Sequence, residues 1–262
     1  MTHEVRTAVV TGASSGIGAA IATRLAGDGY RVVLVARRRE RIGELAAALG
    51  GIAVAADVTD PDVARRFAGR DWRCDVLVNC AGGALGAEPV GTGAVADWSA
   101  MYDVNVLGTV RMLQTFLDDL LERQGAVINI SSTAALAGYE GGAGYCAAKS
   151  GVRALTQSLR LELAGKPVRV VEILPGMVHT DEFALNRFRG DAGRAQAVYQ
   201  GVDRPLTADD VARCVSFACG LPSHVNIDEM IVRPVAQAAQ HKVHRERLHW
   251  NEPLAVPGPR WV

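Results

Sequence analysis

The sequence predicts a single α/β domain built on a parallel β-sheet, and three observations predict it. Short uninterrupted runs of valine, isoleucine and leucine alternate with helical patterns, as expected for strands that are buried on both faces of a parallel sheet. The first run leads directly into a glycine-rich turn and an alanine-rich helix. The chain has 262 residues, 49% of them hydrophobic, which is enough for one large core. No internal repeat or linker divides it.

Strands and helices are predicted to alternate along the chain, and right-handed crossovers then give a doubly wound sheet of the Rossmann type with helices on both faces. Predicted strands are Thr7–Val10, Arg31–Ala36, Ile52–Ala55, Val76–Val78, Ala126–Ile130, Val168–Leu174 and Met230–Val232. Predicted helices lie near residues 17–27, 39–49, 61–68, 96–122, 144–164 and 207–219.

Charge and cysteine content narrow the class of partner. The 28 Lys and Arg residues balance the 28 Asp and Glu residues, so no global field favours nucleic acid or membrane, and a small-molecule substrate is expected. Five cysteines without a CxxC pair predict reduced thiols and a cytoplasmic location. No apolar stretch reaches the roughly 20 residues of a membrane span, and the N-terminus lacks the apolar segment of a signal peptide.

The glycine-rich turn, Thr11 to Gly18, predicts a binding site for a dinucleotide diphosphate. Glycines allow a tight turn and close approach of the backbone, and the start of the following helix offers free N–H groups and a positive dipole. Its position at the first strand-to-helix junction favours this interpretation over an ordinary structural turn. The residues predicted to bind are Gly12, Ser14, Ser15, Gly16, Ile17 and Gly18.

Arginines follow the second strand, where a dinucleotide fold places the adenosine ribose. An acidic residue there would accept from the ribose 2′-OH, whereas the chain has Ala36 followed by Arg37 and Arg38. NADP(H) is therefore predicted over NAD(H). The alternative is a solvated basic helix start, although basic residues are unfavourable beside the positive end of the helix dipole.

The ends of the third and fourth strands complete the predicted cofactor site. Asp57 and Val58 are placed to reach the adenine. Asn79, Ala81 and Gly82 close the fourth strand, where small residues let the backbone pass near the cofactor.

Three side chains near the fifth strand suit hydride transfer at an alcohol or a carbonyl. Tyr145 and Lys149 are four residues apart and share one helix face, and Ser132 ends the preceding strand. A tyrosine of ordinary pKa needs help to act as a base at neutral pH, and a nearby ammonium group favours the phenolate. Ser132 would hydrogen-bond the substrate oxygen and stabilise charge developing on it.

These motifs together resemble the short-chain dehydrogenase/reductase family from Thr7 to about Val235. The resemblance rests on the glycine turn, the Asn79–Gly82 motif and the Ser132, Tyr145 and Lys149 set. It implies that Tyr145 is the acid/base, that Lys149 also holds the nicotinamide ribose, and that the enzyme is a homotetramer. It further implies a proton relay through Asn105 and cofactor contacts by Pro175, Gly176, Val178 and Thr180. Cys80 departs from the family pattern, which often has a second asparagine there.

A narrower resemblance, from Glu182 to Ile227, is to NADP-dependent 3-hydroxy acid dehydrogenases such as serine and allo-threonine dehydrogenases. In that branch a lid arginine suits a substrate carboxylate or sulfonate, and Arg187 is the first candidate, with Arg189 the second. Arg187 could instead pair with a lid carboxylate. Substrate contacts are also predicted for Tyr139 and for Glu140, an acid that could hold a substrate amino group or face solvent.

Two segments fall outside the regular alternation, and the domain is predicted to span residues 1–240. Residues 179–206 are polar and irregular, which predicts a substrate lid or a solvated loop. Residues 241–262 predict either a C-terminal arm that docks on a neighbouring subunit or a disordered terminus. In the first case two subunits could exchange their arms. The three histidines of this arm do not amount to a predicted metal site.

The sequence as a whole predicts an NADP(H)-dependent oxidoreductase for a small polar alcohol, namely a 3-hydroxy acid, a β-hydroxy amino acid or an amino alcohol, and its carbonyl. Alternatives are an aldehyde or ketone reductase of the sulfoacetaldehyde or specialised-metabolite kind, and a non-catalytic NADP-binding protein. The intact Ser132, Tyr145, Lys149 and Asn105 argue against the last.

Overall fold

Seven parallel strands form the central sheet of the computed structural model, which describes residues 5–250. Their spatial order is β3-β2-β1-β4-β5-β6-β7, so the direction of winding reverses between β1 and β4. Each predicted strand forms, within one residue at either end. The strands are β1 (Thr7–Thr11), β2 (Arg31–Ala36), β3 (Ile52–Ala55), β4 (Val76–Asn79), β5 (Ala126–Ile130), β6 (Arg169–Pro175) and β7 (Glu229–Val232).

Helices cover both faces of the sheet, which confirms the doubly wound prediction. On one face, alternate strand residues such as Val10 and Leu34 pack against α1, α2 and α8. On the other, Val9 and Val33 pack in a second core with Phe116 of α4 and Leu159 of α5. The helices are α1 (Gly16–Gly27), α2 (Arg39–Leu49), α3 (Val95–Tyr102), α4 (Gly108–Arg123), α5 (Ala143–Glu162), α6 (Phe183–Arg187), α7 (Ala192–Tyr199) and α8 (Ala208–Gly220).

Two of the predicted helices differ in the structure. The segment near 61–68 is a single 3₁₀ turn, Val63–Phe67, preceded by a local turn in which the backbone N–H of Asp62 donates to the side chain of Asp60. The helix predicted over 96–122 is interrupted by a π-helical turn, Asp103–Leu107, between α3 and α4. The extra residue of a π turn changes the direction of the side chains, and such turns are frequent at functional sites.

The segment 179–206 is more ordered than the sequence predicts. It contains α6 and α7, and Asp191 caps the second of these by accepting from the backbone N–H of Arg194. Helix α6 is one turn long and α7 buries no residue, so neither produces a strong apolar period in the sequence.

The described part of the C-terminal segment lies on its own subunit. Strands β8 (Gln237–Ala239) and β9 (Lys242–Val243) form a hairpin. The predicted domain boundary at residue 240 therefore falls in the turn of this hairpin. Residues up to Trp250 then contact the end of the lid. The rest of the predicted arm, 251–262, lies outside the described residues. Among residues 5–250 no helix combines the length and apolarity needed to cross a bilayer.

Candidate active site

A cleft of about 1070 Å³ opens at the carboxyl ends of the strands, beside the point where the winding reverses. Ligands of doubly wound sheets bind at this place, and the volume exceeds that of a typical small-molecule pocket. The cleft is lined by the predicted cofactor residues of the glycine turn, by the two arginines that follow β2 and by the segment 175–180. Ser132, Tyr145 and Lys149 line it as well. The structure thus brings residues that are far apart in sequence into one site.

The glycine turn approaches the end of β4 so closely that side chains cannot fit. A Cβ atom on Gly12 would lie 2.9 Å from the Cα atom of Ala81, and Gly12 also has φ +68°. A Cβ on Gly18 would lie 2.3 Å from the carbonyl oxygen of Gly12. Helix α1 begins after Ser15, whose side chain makes no capping bond, so its first N–H groups have no side-chain acceptor there. Such a turn fits a diphosphate.

The hydroxyl of Thr11 joins the two strands at this point. It accepts from the backbone N–H groups of Cys80 (2.9 Å) and Ala81 (3.0 Å) and donates to the carbonyl oxygen of Val78 (3.3 Å). Thr11 is buried. Its role was not predicted from the sequence, because its partners at residues 78–81 are brought to it only by the pairing of β1 with β4.

At the adenosine end of the cleft the two arginines behave differently. Arg38 donates from Nε and Nη2 to the hydroxyl of Ser14 (3.0 and 2.8 Å) and from Nη2 to that of Ser15 (2.7 Å). Arg37 is mostly exposed, and its Nη1 lies 3.9 Å from Asp57. Asp57 itself accepts from the backbone and the hydroxyl of Thr59. These cations and hydroxyls fit a phosphate group.

Glu182, in the lid, contacts Arg38 and a further arginine, Arg41. Arg38 Nη1 donates to both of its carboxylate oxygens (2.9 and 2.8 Å), and Arg41 also donates to it. The bond from Arg38 is the main cause that lowers the pKa of Glu182 to about 2. The lid is therefore held to the end of β2 by an ion-pair network, which the sequence did not predict.

The three predicted catalytic side chains converge on one wall of the cleft. The Oγ of Ser132 accepts from the N–H of Ala134 (3.1 Å) and donates to the carbonyl oxygen of Pro175 (3.4 Å), and its interaction with Tyr145 lowers the pKa of that phenol. Phe183 of the lid packs edge-on against the ring of Tyr145, with 5.9 Å between centroids. Burial is the main cause that raises the pKa of Tyr145. In the protein alone its hydroxyl is therefore protonated at neutral pH, which suits proton donation.

Lys149 lies below Tyr145, with Nζ 5.8 Å from the ring centroid, and donates to the carbonyl oxygen of Ile130 (3.0 Å). Burial lowers its pKa to about 8, because a charged ammonium loses hydration there. The pKa of Tyr145 is raised overall, so the protein alone does not favour the phenolate that the sequence predicts.

Asn105 lies in the π turn beneath the cleft rather than on its surface. Its Nδ2 donates to the carbonyl oxygens of Met101 (2.8 Å) and Gly83 (3.0 Å), while Oδ1 is buried without a protein partner. A Cβ on Gly82 would lie 2.4 Å from this Oδ1 and 3.5 Å from Lys149 Nζ. Asn105 and Lys149 are therefore neighbours, as a relay between them requires.

The side chain of Asn79 does not line the cleft. It is buried, and its Nδ2 donates to Asn129 Oδ1 (2.9 Å), while Asn129 Nδ2 donates to the hydroxyl oxygen of Thr156 (2.8 Å). Its role in this structure is to join β4 to β5, and only its backbone reaches the end of the strand. Val58, the residue predicted beside the adenine, does line the cleft.

The segment after β6 forms the wall opposite the glycine turn. Met177 donates its N–H to Gln237 Oε1 (2.8 Å), and Tyr199 donates its hydroxyl to the carbonyl oxygen of Val178 (2.8 Å). Thr180 lies against Gly16, since a Cβ there would be 3.4 Å from Thr180 Cγ2. Gln237 and Tyr199 support this wall, and no local sequence pattern identifies Gln237 as part of it.

Arg187 stands at the substrate end, and all its partners are neutral. It donates to the carbonyl oxygens of Gly86 (3.0 Å) and Gly141 (2.9 Å) and to the hydroxyl of Tyr139 (3.0 Å). Among the described residues it makes no ion pair, so the alternative pairing with a lid carboxylate is absent there. Its charge lowers the pKa of Tyr145, against the larger effect of burial. Glu140 is exposed and lines the same cleft.

Arg189, the second candidate for binding an anionic substrate, does not line the cleft. It is largely exposed and pairs with Asp97 at the outer rim. Among residues 5–250 no group of three metal-ligating side chains converges.

The fold and the tyrosine–lysine–serine site define a dinucleotide-dependent oxidoreductase, and the comparison with known families agrees. The short chain dehydrogenase model matches residues 6–187, so the chain belongs to that family. An uncharacterised oxidoreductase of Mycobacterium tuberculosis is 51% identical over 235 residues, 89% of this chain and 93% of that protein.

Relatives with named activities are also similar. The serine 3-dehydrogenase of Rhizobium radiobacter is 41% identical over 92% of this chain and 98% of its own length. The NADP-dependent 3-hydroxy acid dehydrogenase YdfG of Escherichia coli K12 is 41% identical over 91% and 99%. The closed form of serine dehydrogenase complexed with NADP⁺ superposes with a TM-score of 0.86 at 38% identity, over 94% of this chain and all of that one.

The ion-pair network of Glu182 predicts a pH-dependent stability. Because the pKa of Glu182 in the folded protein is below its unfolded value, its contribution is complete above roughly pH 4.5 and disappears as the pH falls toward 2. Glu182→Gln should lower the free energy of unfolding by about 1 kcal/mol at pH 6, a value limited by solvent screening of the arginines. Denaturant titration without cofactor measures this difference.

The matched control is Asp181→Asn, at the exposed neighbouring position. The difference between wild type and Glu182→Gln should shrink from pH 5 to pH 3, while the control stays level with wild type. A difference that is constant with pH would show that the network does not depend on the carboxylate charge.

Proposed function

We propose that this protein is an NADP(H)-dependent oxidoreductase that interconverts a small anionic 3-hydroxy acid, or a β-hydroxy amino acid, and its carbonyl form. The observation that carries the proposal is a pair of cationic groups at opposite ends of one cleft, with the tyrosine site between them. Arg37 and Arg38 lie at the adenosine end, and Arg187 lies at the substrate end. Relatives that act on serine and on 3-hydroxy acids support it.

The preference for NADP(H) follows from the charge at the end of β2. No carboxylate follows this strand in the position that would receive a ribose 2′-OH, and Arg37 is left largely exposed toward the cleft. The guanidinium of Arg38 is already oriented by two serine hydroxyls. A 2′-phosphate would receive charge-assisted bonds from Arg37 and, in place of Glu182, from Arg38, together with a hydroxyl donor from Ser14.

The proton chemistry is assigned to Tyr145. When bound, the cofactor supplies or accepts the hydride at the substrate carbon. In the reduction direction the Tyr145 hydroxyl donates its proton to the substrate oxygen, while Ser132 donates a hydrogen bond to that oxygen. Lys149 holds the nicotinamide ribose and, with Asn105, returns a proton to Tyr145. The oxidation direction reverses these transfers.

Arg187 is proposed to bind the substrate carboxylate. A guanidinium that contacts only neutral acceptors retains its full charge, and it lies within the electrostatic reach of Tyr145. Tyr139 orients it from one side and the carbonyl groups of Gly86 and Gly141 from the other. Glu140, exposed at the same end, is in reach of a substrate ammonium group and would favour amino acids. The same carboxylate would hold the ammonium group of an amino alcohol, so the position of Glu140 favours amino alcohols as a second substrate class.

We also propose a cytoplasmic homotetramer. All five cysteines are free thiols, as expected for a reducing compartment. Large apolar side chains at Leu161, Ile231 and Val235 are exposed on the described surface, and burial between subunits would remove them from water.

Substitution of the proposed acid/base tests the mechanism. Tyr145→Phe should reduce turnover by at least about 10³-fold, because the proton donor is lost while the ring and its packing remain. Binding of NADPH, measured by fluorescence titration, should stay within twofold of wild type. Substantial remaining turnover would remove Tyr145 from the acid/base role, and loss of binding would instead indicate misfolding.

Replacement of both arginines tests cofactor choice. Arg37→Ala with Arg38→Ala should raise the KM for NADP(H) by about 100-fold, since two charge-assisted bonds to the phosphate are lost, and should leave the KM for NAD(H) nearly unchanged. Arg39→Ala, one position further along, is the control. An equal rise for both cofactors would contradict recognition of the 2′-phosphate.

A substrate panel tests the overall proposal through NADP-linked absorbance. It contains serine, allo-threonine, 3-hydroxy acids, amino alcohols, and sulfonated and uncharged aldehydes. Turnover should be restricted to anionic members, and Arg187→Met should raise their KM by about tenfold or more with little effect on uncharged aldehydes. Arg189→Met is the matched control. Turnover of uncharged carbonyls alone would contradict the anion site and favour a general carbonyl reductase.

If wild-type protein binds NADPH and turns over no member of the panel, the non-catalytic NADP-binding alternative gains support.

A further inference from the structure

The last described residues of the chain, 245–250, lie along the outside of the lid. We refer to them as the strap, and to residues 198–204, which they contact, as the lid loop. Arg245 Nη1 donates to the carbonyl oxygen of Gln200 (2.6 Å) and, at 3.3 Å, to that of Val198. At Gly201, with φ +72°, a Cβ would lie 2.5 Å from the carbonyl oxygen of Arg245. The strap and the lid loop are therefore in close backbone contact.

Asp203 fixes the far end of the strap. Its Oδ2 accepts from the indole Nε1 of Trp250 (2.7 Å) and from the backbone N–H of Leu248 (3.0 Å). The bond from Trp250 is the main cause that lowers the pKa of Asp203, so the acceptor is ionised at neutral pH.

Arg204 adds a contact of a different kind to the same end. Its guanidinium lies over the indole ring of Trp250, 4.8 Å from the centroid. Arg204 has φ +50°, in the left-handed region that non-glycine residues seldom adopt. The ring contact thus holds the lid loop in a conformation that the isolated segment disfavours.

The lid loop leads directly to the nicotinamide end of the cleft. Tyr199, at the start of this loop, donates its hydroxyl to the carbonyl oxygen of Val178 (2.8 Å), and its ring packs edge-on against His179 with 4.6 Å between centroids. Val198, Tyr199 and Arg245 all line the cleft. A displacement of the lid loop would therefore move the backbone of Val178.

The contacts of residues 245–250 are made to their own subunit. The lid loop already supplies acceptors for Arg245, for the N–H of Leu248 and for the indole of Trp250, which gives this segment a place without a neighbouring chain. Residues 245–250 are therefore held on the lid loop by contacts within the chain.

We propose that Trp250 and Asp203 are positioning residues, which hold the lid loop so that Tyr199 keeps the backbone of Val178 in place for the cofactor. The proposal rests on the proposed function, because Val178 is assigned there to the nicotinamide carboxamide by resemblance. Trp250 and Asp203, neither of which lines the cleft, thus act on cofactor affinity through the lid loop.

The test compares Trp250→Ala and Asp203→Asn with His249→Ala, a substitution at an exposed position of the same strap. Hydrogen exchange of the amides of residues 198–206 is measured on the protein without cofactor. Both strap variants should speed this exchange by about fivefold or more, as expected for the loss of a hydrogen bond to a charged group. The double variant should have less effect than the sum of the two single changes, because both remove the Trp250–Asp203 bond. His249→Ala should match wild type.

Cofactor affinity is the second measurement. The Kd for NADPH, from fluorescence titration, should rise about fivefold in both strap variants, with a smaller change in kcat. Tyr199→Phe removes only the hydroxyl that reaches Val178, so it should reproduce the rise in Kd without the faster exchange at the strap contacts.

Unchanged exchange and unchanged Kd in both strap variants would overturn the proposal. A fall in molecular mass in solution with unchanged exchange would also overturn it, in favour of an arm that docks on another subunit. Failure of the proposed function has a different signature, since wild-type protein would then bind no NADPH or turn over no member of the substrate panel, while the exchange measurement would still report on the strap.

Discussion

The contact between the ends of β1 and β4 is the constraint on which the site depends. The strand order reverses there, and one buried hydroxyl, that of Thr11, receives two N–H groups from the end of β4. This holds Ala81 within 2.9 Å of where a side chain of Gly12 would begin. The cleft exists because the backbones approach so closely at its floor, and glycine is required at position 12 for both space and conformation.

The lid connects the two ends of this cleft through a very short element. Helix α6 is a single turn, with Glu182 just before it and Arg187 as its last residue. Glu182 contacts the arginines near β2, and Arg187 faces the substrate end. One helical turn therefore lies between the carboxylate of Glu182 and the guanidinium of Arg187. The position of Arg187 is thereby linked to the arginines that hold Glu182 near β2.

Burial acts in opposite directions on the two central titratable groups. It raises the pKa of Tyr145 and lowers that of Lys149 to about 8, because in each case it disfavours the charged form. Both groups are thereby brought toward their neutral states in the protein alone. Arg187 and Ser132 oppose this effect of burial at Tyr145, because both lower the pKa of its hydroxyl.

The sequence predicted all seven strands, because strands buried on both faces of a parallel sheet leave continuous apolar runs. Where side chains face solvent the pattern is weaker. Helix α7 buries no residue, and the turn at Val63–Phe67 follows side-chain bonds of Asp60 rather than an apolar period. The π turn at Asp103–Leu107 also left no signature, since one inserted residue hardly alters a 27-residue helical pattern.

By itself, the sequence determined the fold class, the glycine turn, the tyrosine–lysine spacing and the arginines after β2, since each depends on residues close together in the chain. Only the tertiary structure decided which partners the side chains have. It gave Arg187 neutral acceptors, paired Glu182 with Arg38, turned Asn79 into the core and placed Trp250 on Asp203. These contacts join residues up to 144 positions apart, and local sequence patterns contain no information about which distant groups the folded chain brings within hydrogen-bond distance.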